Sequence, residues 1–140
     1  TVAPTIKQEL ELEPKILKWD ENKTKRFVDE ILAWLNLDPD TCPLDIHSAD
    51  RRLLMIGASS HGSILILDEP TIDLDTEDIV KVLDFIQKLR LSGTAVVLIT
   101  HDYDLMNIAN RVVMIDDGRV KDEYVPQEVE IERPVVYSQV

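Results

Sequence analysis

The chain is 140 residues long and 44% hydrophobic, which suits one domain or a large piece of one and excludes wholesale disorder. Fifteen basic against 27 acidic residues give a net charge of −12, which disfavours non-specific attachment to DNA, RNA or anionic membrane, because neutralising phosphates needs patches of Lys and Arg. Cys42 is the only cysteine, no apolar run nears the ~20 residues of a membrane helix, and no signal peptide is visible, so the expectation is a cytoplasmic protein without an internal disulfide.

Pro4 and Pro14 are expected to break regular structure near the start, with a short strand-to-helix entry over residues 5–10. Residues 22–37 read as a helix. Phe27, Ile31 and Trp34 or Leu35 recur at helical spacing, and Val28 and Leu32 widen the stripe. Asn22 or Thr24 would cap it and Asp38-Pro39 would end it. Trp19 and Trp34 are read as packing in or beside this helix. A polar loop follows over residues 38–48, then a helix over residues 49–59, then a Ser60-His61-Gly62 turn.

Ile64-Leu65-Ile66-Leu67 is an unbroken apolar run ending in Asp68-Glu69-Pro70. Such a run reads as a strand buried on both faces, as in a parallel sheet. Carboxylates at its C-terminal end fall where open α/β sheets bind ligands. The first acid can hold a magnesium ion through its water shell, and the second can orient and deprotonate an attacking water. An acidic turn after a core strand is the plain alternative. Asp75 is the expected N-cap of the next helix, whose face is Ile79, Val82, Leu83, Ile86 and Leu89, with Gly93 as the stop. Ala95-Val96-Val97-Leu98-Ile99 is a second apolar run, ending in Thr100-His101-Asp102. Strand, helix, strand at this spacing is a βαβ unit, which sets both strand ends on one sheet edge. A short helix over residues 103–110 and a strand over 111–115 follow. Asp117-Gly118 is a hairpin signal before Arg119-Val120. Beyond Lys121 the alternation of acidic and apolar residues fits either an edge strand or a loose tail.

These motifs together resemble the ABC-type ATPases. Residues 64–71 look like the Walker B strand and catalytic glutamate, and Asp73-Leu74-Asp75 looks like the D-loop. Residues 98–102 are similar to the switch-histidine loop, and residues 111–120 to the closing strands. The resemblance runs from about residue 51 to 129 and extends more weakly over residues 5–37, towards the family's helical subdomain. It implies a P-loop NTPase-like α/β fold with a parallel sheet flanked by helices. Residues 1–50 would be a partial helical subdomain, 51–121 the ATPase core portion, and 122–140 a closing strand or tail. Asp68 would bind magnesium through water, Glu69 would polarise the hydrolytic water, and His101 would contact the γ-phosphate of ATP. Asp75 would cross the interface of a nucleotide-sandwich dimer, and Pro70 and Thr71 would shape the turn. The implied partners are a second ATPase subunit and a transporter membrane subunit, with no nucleic acid expected. Localisation would be cytoplasmic, on the inner face of the cell membrane where the partner sits.

Two departures from the family stand out. No G-x-x-x-x-G-K-[ST] occurs: the four glycines are Gly57, Gly62, Gly93 and Gly118, and none precedes Lys-Ser or Lys-Thr. The backbone N–H cradle and the lysine for the β- and γ-phosphates are therefore missing from this sequence, and the glutamine loop has no match. The signature loop is degenerate as well. It should fall near Leu44-Asp45-Ile46-His47-Ser48, ahead of Arg51 and Arg52, but its glycines are replaced. That leaves Ser48 and the helix start behind it as a poor clamp for a partner's phosphate. His47 and His61 lack a partner pattern and are expected in solvent, and no Cys/His spacing suits zinc. The leading expectation is the C-terminal portion of a transporter ATPase, inactive as this chain alone. A non-catalytic dimerisation or regulatory module is a second reading. An ABC-like ATPase of DNA repair or chromosome organisation is a third, which the charge and the lack of heptads disfavour.

Overall fold

The computed structural model describes residues 3–126. Chain order gives α1 (Ile6–Ile16), α2 (Glu21–Leu35), α3 (Ser48–Ser59), β1 (Ile64–Asp68), α4 (Thr76–Leu91), β2 (Ala95–Ile99), α5 (Tyr103–Met106), β3 (Val112–Asp116) and β4 (Arg119–Tyr124). The chain divides into two compact units, Thr1–Leu98 and Ile99–Val140.

In the first unit, α1 starts at Thr5, whose Oγ1 accepts from the Gln8 N–H at 3.2 Å. Two further first-turn donors are satisfied across the chain: Ile6 N–H bonds the Thr41 carbonyl and Lys7 N–H the Pro39 carbonyl, both at 3.0 Å. Pro14 lies inside this helix instead of breaking it. Ile6, Leu10 and Pro14 follow an i, i+4, i+8 stripe and all are buried, so packing offsets the one backbone bond that proline cannot donate. The break comes four residues after Pro14, where Lys18 takes φ 55°.

Helix α2 begins at Glu21, one residue before the expected start and six before the first residue of its apolar stripe, Phe27. Asp20 is the cap, its Oδ1 accepting from Lys23 N–H at 2.8 Å, and Asn22 and Thr24 lie inside the helix. It ends at Leu35 because Asn36 adopts the left-handed conformation, before Asp38-Pro39 is reached. Val28, Ile31 and Leu35 are its buried residues. Trp19 packs edge-on against Phe27 at 5.7 Å under the Lys23 ammonium, and Trp34 packs edge-on against Phe85 of α4 at 6.1 Å. His61 joins this cluster, in contrast to its solvent-facing expectation. It is half-buried, its ring 6.4 Å from Trp19 and its Nδ1 3.2 Å from the Ala58 carbonyl oxygen.

α3 is central to the core: Leu53, Leu54 and Ile56 pack with Ile31, Phe85 and Leu65. Gly57 makes this approach possible. A Cβ there would meet Ile31 Cγ2 at 2.7 Å and Phe85 Cζ at 3.4 Å. Ile31 is buried and β-branched, so it has little freedom to move aside. Gly57→Ala should therefore destabilise the fold by about 1–3 kcal/mol through overpacking, despite alanine's better helix propensity. A urea titration followed by far-UV circular dichroism checks this; a variant more stable than wild type would mean that the Ile31 side chain yields.

β1 and β2 are hydrogen-bonded neighbours. Ala95 N–H, at the head of β2, donates to the carbonyl of Ser63, just before β1, at 2.9 Å. Both strands thus start at the same end and run parallel. The expectation of burial on both faces does not hold. Leu65, Leu67, Val96 and Leu98 face the helical core, whereas Ile64 (63% exposed), Ile66 (65%), Val97 and Ile99 are open. The helices of this unit cover one side of the sheet, and alternation decides which residues they reach. On α4 the buried stripe is Val82, Phe85, Ile86 and Leu89, shifted so that Phe85 replaces Ile79 and Leu83, which stay partly buried.

In the second unit, Asp102 caps α5, and β3 and β4 form an antiparallel hairpin. Its turn, Asp117-Gly118, has both residues at positive φ, 49° and 69°, the conformation that two-residue hairpin loops require. β4 extends to Tyr124, so the edge-strand alternative holds that far; residues 127–140 of the closing strand or tail lie outside the described residues. Among the described residues, no helix is long and apolar enough to cross a membrane.

Candidate functional site

Asp68 is the last residue of β1, at the carboxyl edge of the parallel pair, and is exposed. Glu69 follows in the left-handed conformation, φ 48°, which turns the chain sharply off the strand. Glutamate rarely adopts this conformation, and such residues persist only where their surroundings hold them. Pro70 and Thr71 are buried directly behind it and supply that anchor. Within the loop, Ile72 N–H bonds the Glu69 carbonyl at 3.2 Å and Leu74 N–H the Thr71 carbonyl at 3.3 Å. Asp73 is again left-handed, φ 61°. Asp75 then caps α4, its Oδ1 accepting from Asp78 N–H at 2.9 Å. One short segment therefore presents the Asp68 and Glu69 carboxylates and, six positions on, the Asp75 cap.

Ser48 is the first residue of α3 and is exposed. The cap in front of it is His47, whose Nδ1 accepts from Ala49 N–H at 3.3 Å. A first-turn donor that a phosphate would need is thus already engaged. The preceding loop is held by Arg51. Its Nε donates to the Pro43 carbonyl at 3.0 Å, and its Nη2 to the carbonyls of Leu44 and Ile46 at 3.1 and 3.2 Å.

His101, in the second unit, sits in a bend between Thr100 and Asp102 and is exposed. The Thr100 Oγ1 accepts from Asp102 N–H at 3.0 Å, and Asp102 Oδ1 in turn accepts from Asp104 N–H at 2.9 Å. These two side-chain turns fix the backbone on either side of the imidazole.

The loop contact that the sequence did not reveal comes from Arg52. Its Nη1 donates to the Pro70 carbonyl at 2.9 Å and its Nη2 to the Ile72 carbonyl at 3.3 Å. The only sequence signal was the Arg51-Arg52 pair itself; nothing in spacing pointed to the loop it reaches.

The residues fit part of a magnesium nucleotide site. Magnesium keeps most of its waters and takes one or two carboxylates plus phosphate oxygens, a demand that an exposed strand-end Asp68 meets. Among the described residues no group of three or more His, Cys, Asp or Glu could hold a metal by itself. The triphosphate is less well served, because no glycine-rich cradle is present in the sequence.

No protein-family profile matches the chain. It is similar to the glutamine transport ATP-binding protein GlnQ of Geobacillus stearothermophilus, 30% identical over 131 residues, 89% of this chain and 54% of that protein. It is 26% identical over 132 residues to the energy-coupling factor transporter ATP-binding protein EcfA of Methanocaldococcus jannaschii, 91% of this chain and 47% of the relative. The chain thus spans about half the length of these curated relatives. Among solved structures it resembles the ATP-binding subunit of an ABC transporter, with a TM-score of 0.71 and 20% identity over 89% of this chain and 55% of that one. It also resembles a dimeric ATP-binding cassette in a post-hydrolysis state with ADP and Pi, with a TM-score of 0.69 and 22% identity over 92% of this chain and 60% of that one.

Proposed function

We propose that this chain, which resembles ABC transporter ATP-binding proteins in sequence and shares the fold of their cassettes, supplies the water- and metal-handling part of an ATP-hydrolysing site, with the phosphate cradle supplied by residues other than these. The observation that carries the proposal is the strand end itself, an exposed Asp68 followed by Glu69 locked in a left-handed turn.

In this reading residues 1–50 form a partial helical subdomain, 51–121 the ATPase core portion, and 122–140 its closing segment. Asp68 holds water bound to magnesium. Glu69 aligns the attacking water and accepts its proton. His101 hydrogen-bonds the terminal phosphate. Asp75 faces a second ATPase subunit, and Ser48 with the α3 start faces that partner's nucleotide. Magnesium, when bound, neutralises charge on the phosphates. The proposed setting is a transporter: a cytoplasmic ATPase subunit, peripheral on the inner membrane face, coupling hydrolysis to a membrane subunit. Support comes from the transport ATP-binding proteins that the chain resembles.

The degenerate signature loop favours a second reading of that one element. With His47 on the Ala49 N–H and Asp45 beside it, the 44–48 loop serves as a structural cap more than as a phosphate clamp. Titration of magnesium–ATP into the 140-residue chain tests the division of labour. We expect no binding in the micromolar range, because the cradle and its lysine are absent; that corresponds to at least about 4 kcal/mol withheld relative to a micromolar site, if the constant is millimolar or weaker. Micromolar affinity would show that groups within this chain hold the phosphates and would overturn the proposed partition.

A further inference from the structure

We infer that Arg52 is a positioning residue for the loop that carries Glu69, an inference that rests on the hydrolytic reading above. The loop over residues 69–75 contains two non-glycine residues at positive φ, Glu69 and Asp73. Within it, Ile72 N–H donates to the Glu69 carbonyl at 3.2 Å and Leu74 N–H to the Thr71 carbonyl at 3.3 Å, at the long end of the useful range. Non-glycine residues in this conformation persist where the surrounding structure holds them.

Arg52 adds to that hold from a different element. Its guanidinium grips the Pro70 and Ile72 carbonyls, one on each side of Thr71, from 18 and 20 positions earlier in the chain. The fork is the appropriate tool here. It offers planar, parallel donors with a charge behind each bond, and its side chain is half-buried against the loop. A lysine in its place has one ammonium and cannot hold both carbonyls in the same plane.

The neighbouring arginine makes the arrangement directional. Consecutive residues on a helix point about 100° apart. Arg51 therefore reaches the 43–46 loop while Arg52 reaches the 70–72 loop. The N-terminal part of α3 is thus bolted both to the 43–46 loop and to the loop that follows Glu69. Arg52 touches neither the water nor the phosphate in this scheme; it acts through the backbone on which Glu69 is mounted.

Amide hydrogen exchange on the 140-residue chain tests the brace without any nucleotide. Arg52→Lys, which keeps the charge and the alkyl stem, should accelerate exchange at Ile72 and Leu74 by about tenfold or more, with α1 and α2 amides unchanged. Arg52→Met should do the same, and Arg51→Lys should instead loosen residues 43–46. In the protein completed by its phosphate-cradling portion, Arg52→Lys should lower kcat about tenfold or more and leave KM for ATP within about twofold, because the residue positions a base and does not bind substrate. Wild-type exchange at Ile72 and Leu74 in both Arg52 variants would overturn the inference, as would a raised KM with kcat intact. A completed wild-type protein without turnover would instead overturn the hydrolytic reading, which the exchange measurement does not depend on.

Discussion

Glu69→Gln, made in the protein completed by its phosphate-cradling portion, should lower ATP turnover by at least about a hundredfold and leave nucleotide affinity within about twofold. General-base assistance contributes roughly 10²–10⁴ in rate, and glutamine keeps the shape and length of glutamate while losing the ability to take a proton. Binding should survive because, in the proposed reading, the phosphates and the metal are held by other groups, the metal through Asp68 at the end of β1. The backbone should survive too. The left-handed turn at residue 69 is held by buried Pro70 and Thr71 and by Arg52, none of which needs a carboxylate at position 69. Phosphate release at saturating magnesium–ATP, paired with a nucleotide titration, separates the two effects. Turnover retained to within threefold would remove Glu69 from the role of base. Lost affinity would make it a binding group instead.

That site was legible in the sequence to an uneven degree. Ile64-Leu65-Ile66-Leu67 followed by Asp68-Glu69 announced a strand with carboxylates at its end, because an apolar run and an abrupt charge change are local signals. Asp75 as the α4 cap, Gly93 after its end and the Asp117-Gly118 turn were legible for the same reason. The burial of the strands was misjudged. Hydropathy shows that both faces of β1 and β2 are apolar, but not which face this chain's own helices cover. Pro14 misled because proline's local penalty was visible and the stripe of Ile6, Leu10 and Pro14 that outweighs it was not. Asp20 was missed as a cap because the apolar stripe of α2 starts at Phe27, six residues after the helix does. Arg52 was out of reach altogether: a side chain bonding two carbonyls across 18 and 20 positions leaves no periodic trace. The left-handed turns at Glu69 and Asp73 were hidden likewise, since neither position carries a glycine to advertise them.

Leu54→Ala should destabilise the fold by about 2–5 kcal/mol. Leu54 is 1% exposed on α3, in the cluster that α1, α2, α4 and β1 share. Those elements are fixed by their own caps and cross-chain bonds, so they cannot collapse far into the space left behind, which puts the loss towards the upper part of that range. Domains of this size have only about 5–15 kcal/mol in hand, and the open face of β1 and β2 leaves apolar area here that contributes nothing to folding. The melting temperature should accordingly fall by roughly 10 °C or more, followed by circular dichroism. Ile66→Ala in the same experiment gives the contrast its meaning. Ile66 has the same apolar character and lies in the β1 strand between Leu65 and Leu67, yet it is 65% exposed. Truncating it should shift stability by no more than about 0.5 kcal/mol. If the two substitutions prove equally damaging, the second face of the sheet is covered in solution, and Ile64, Ile66, Val97 and Ile99 belong to a core that the fold of this chain does not by itself account for. A large loss at Leu54 alone ties the stability of the strand that bears Asp68 to a single-sided helical core.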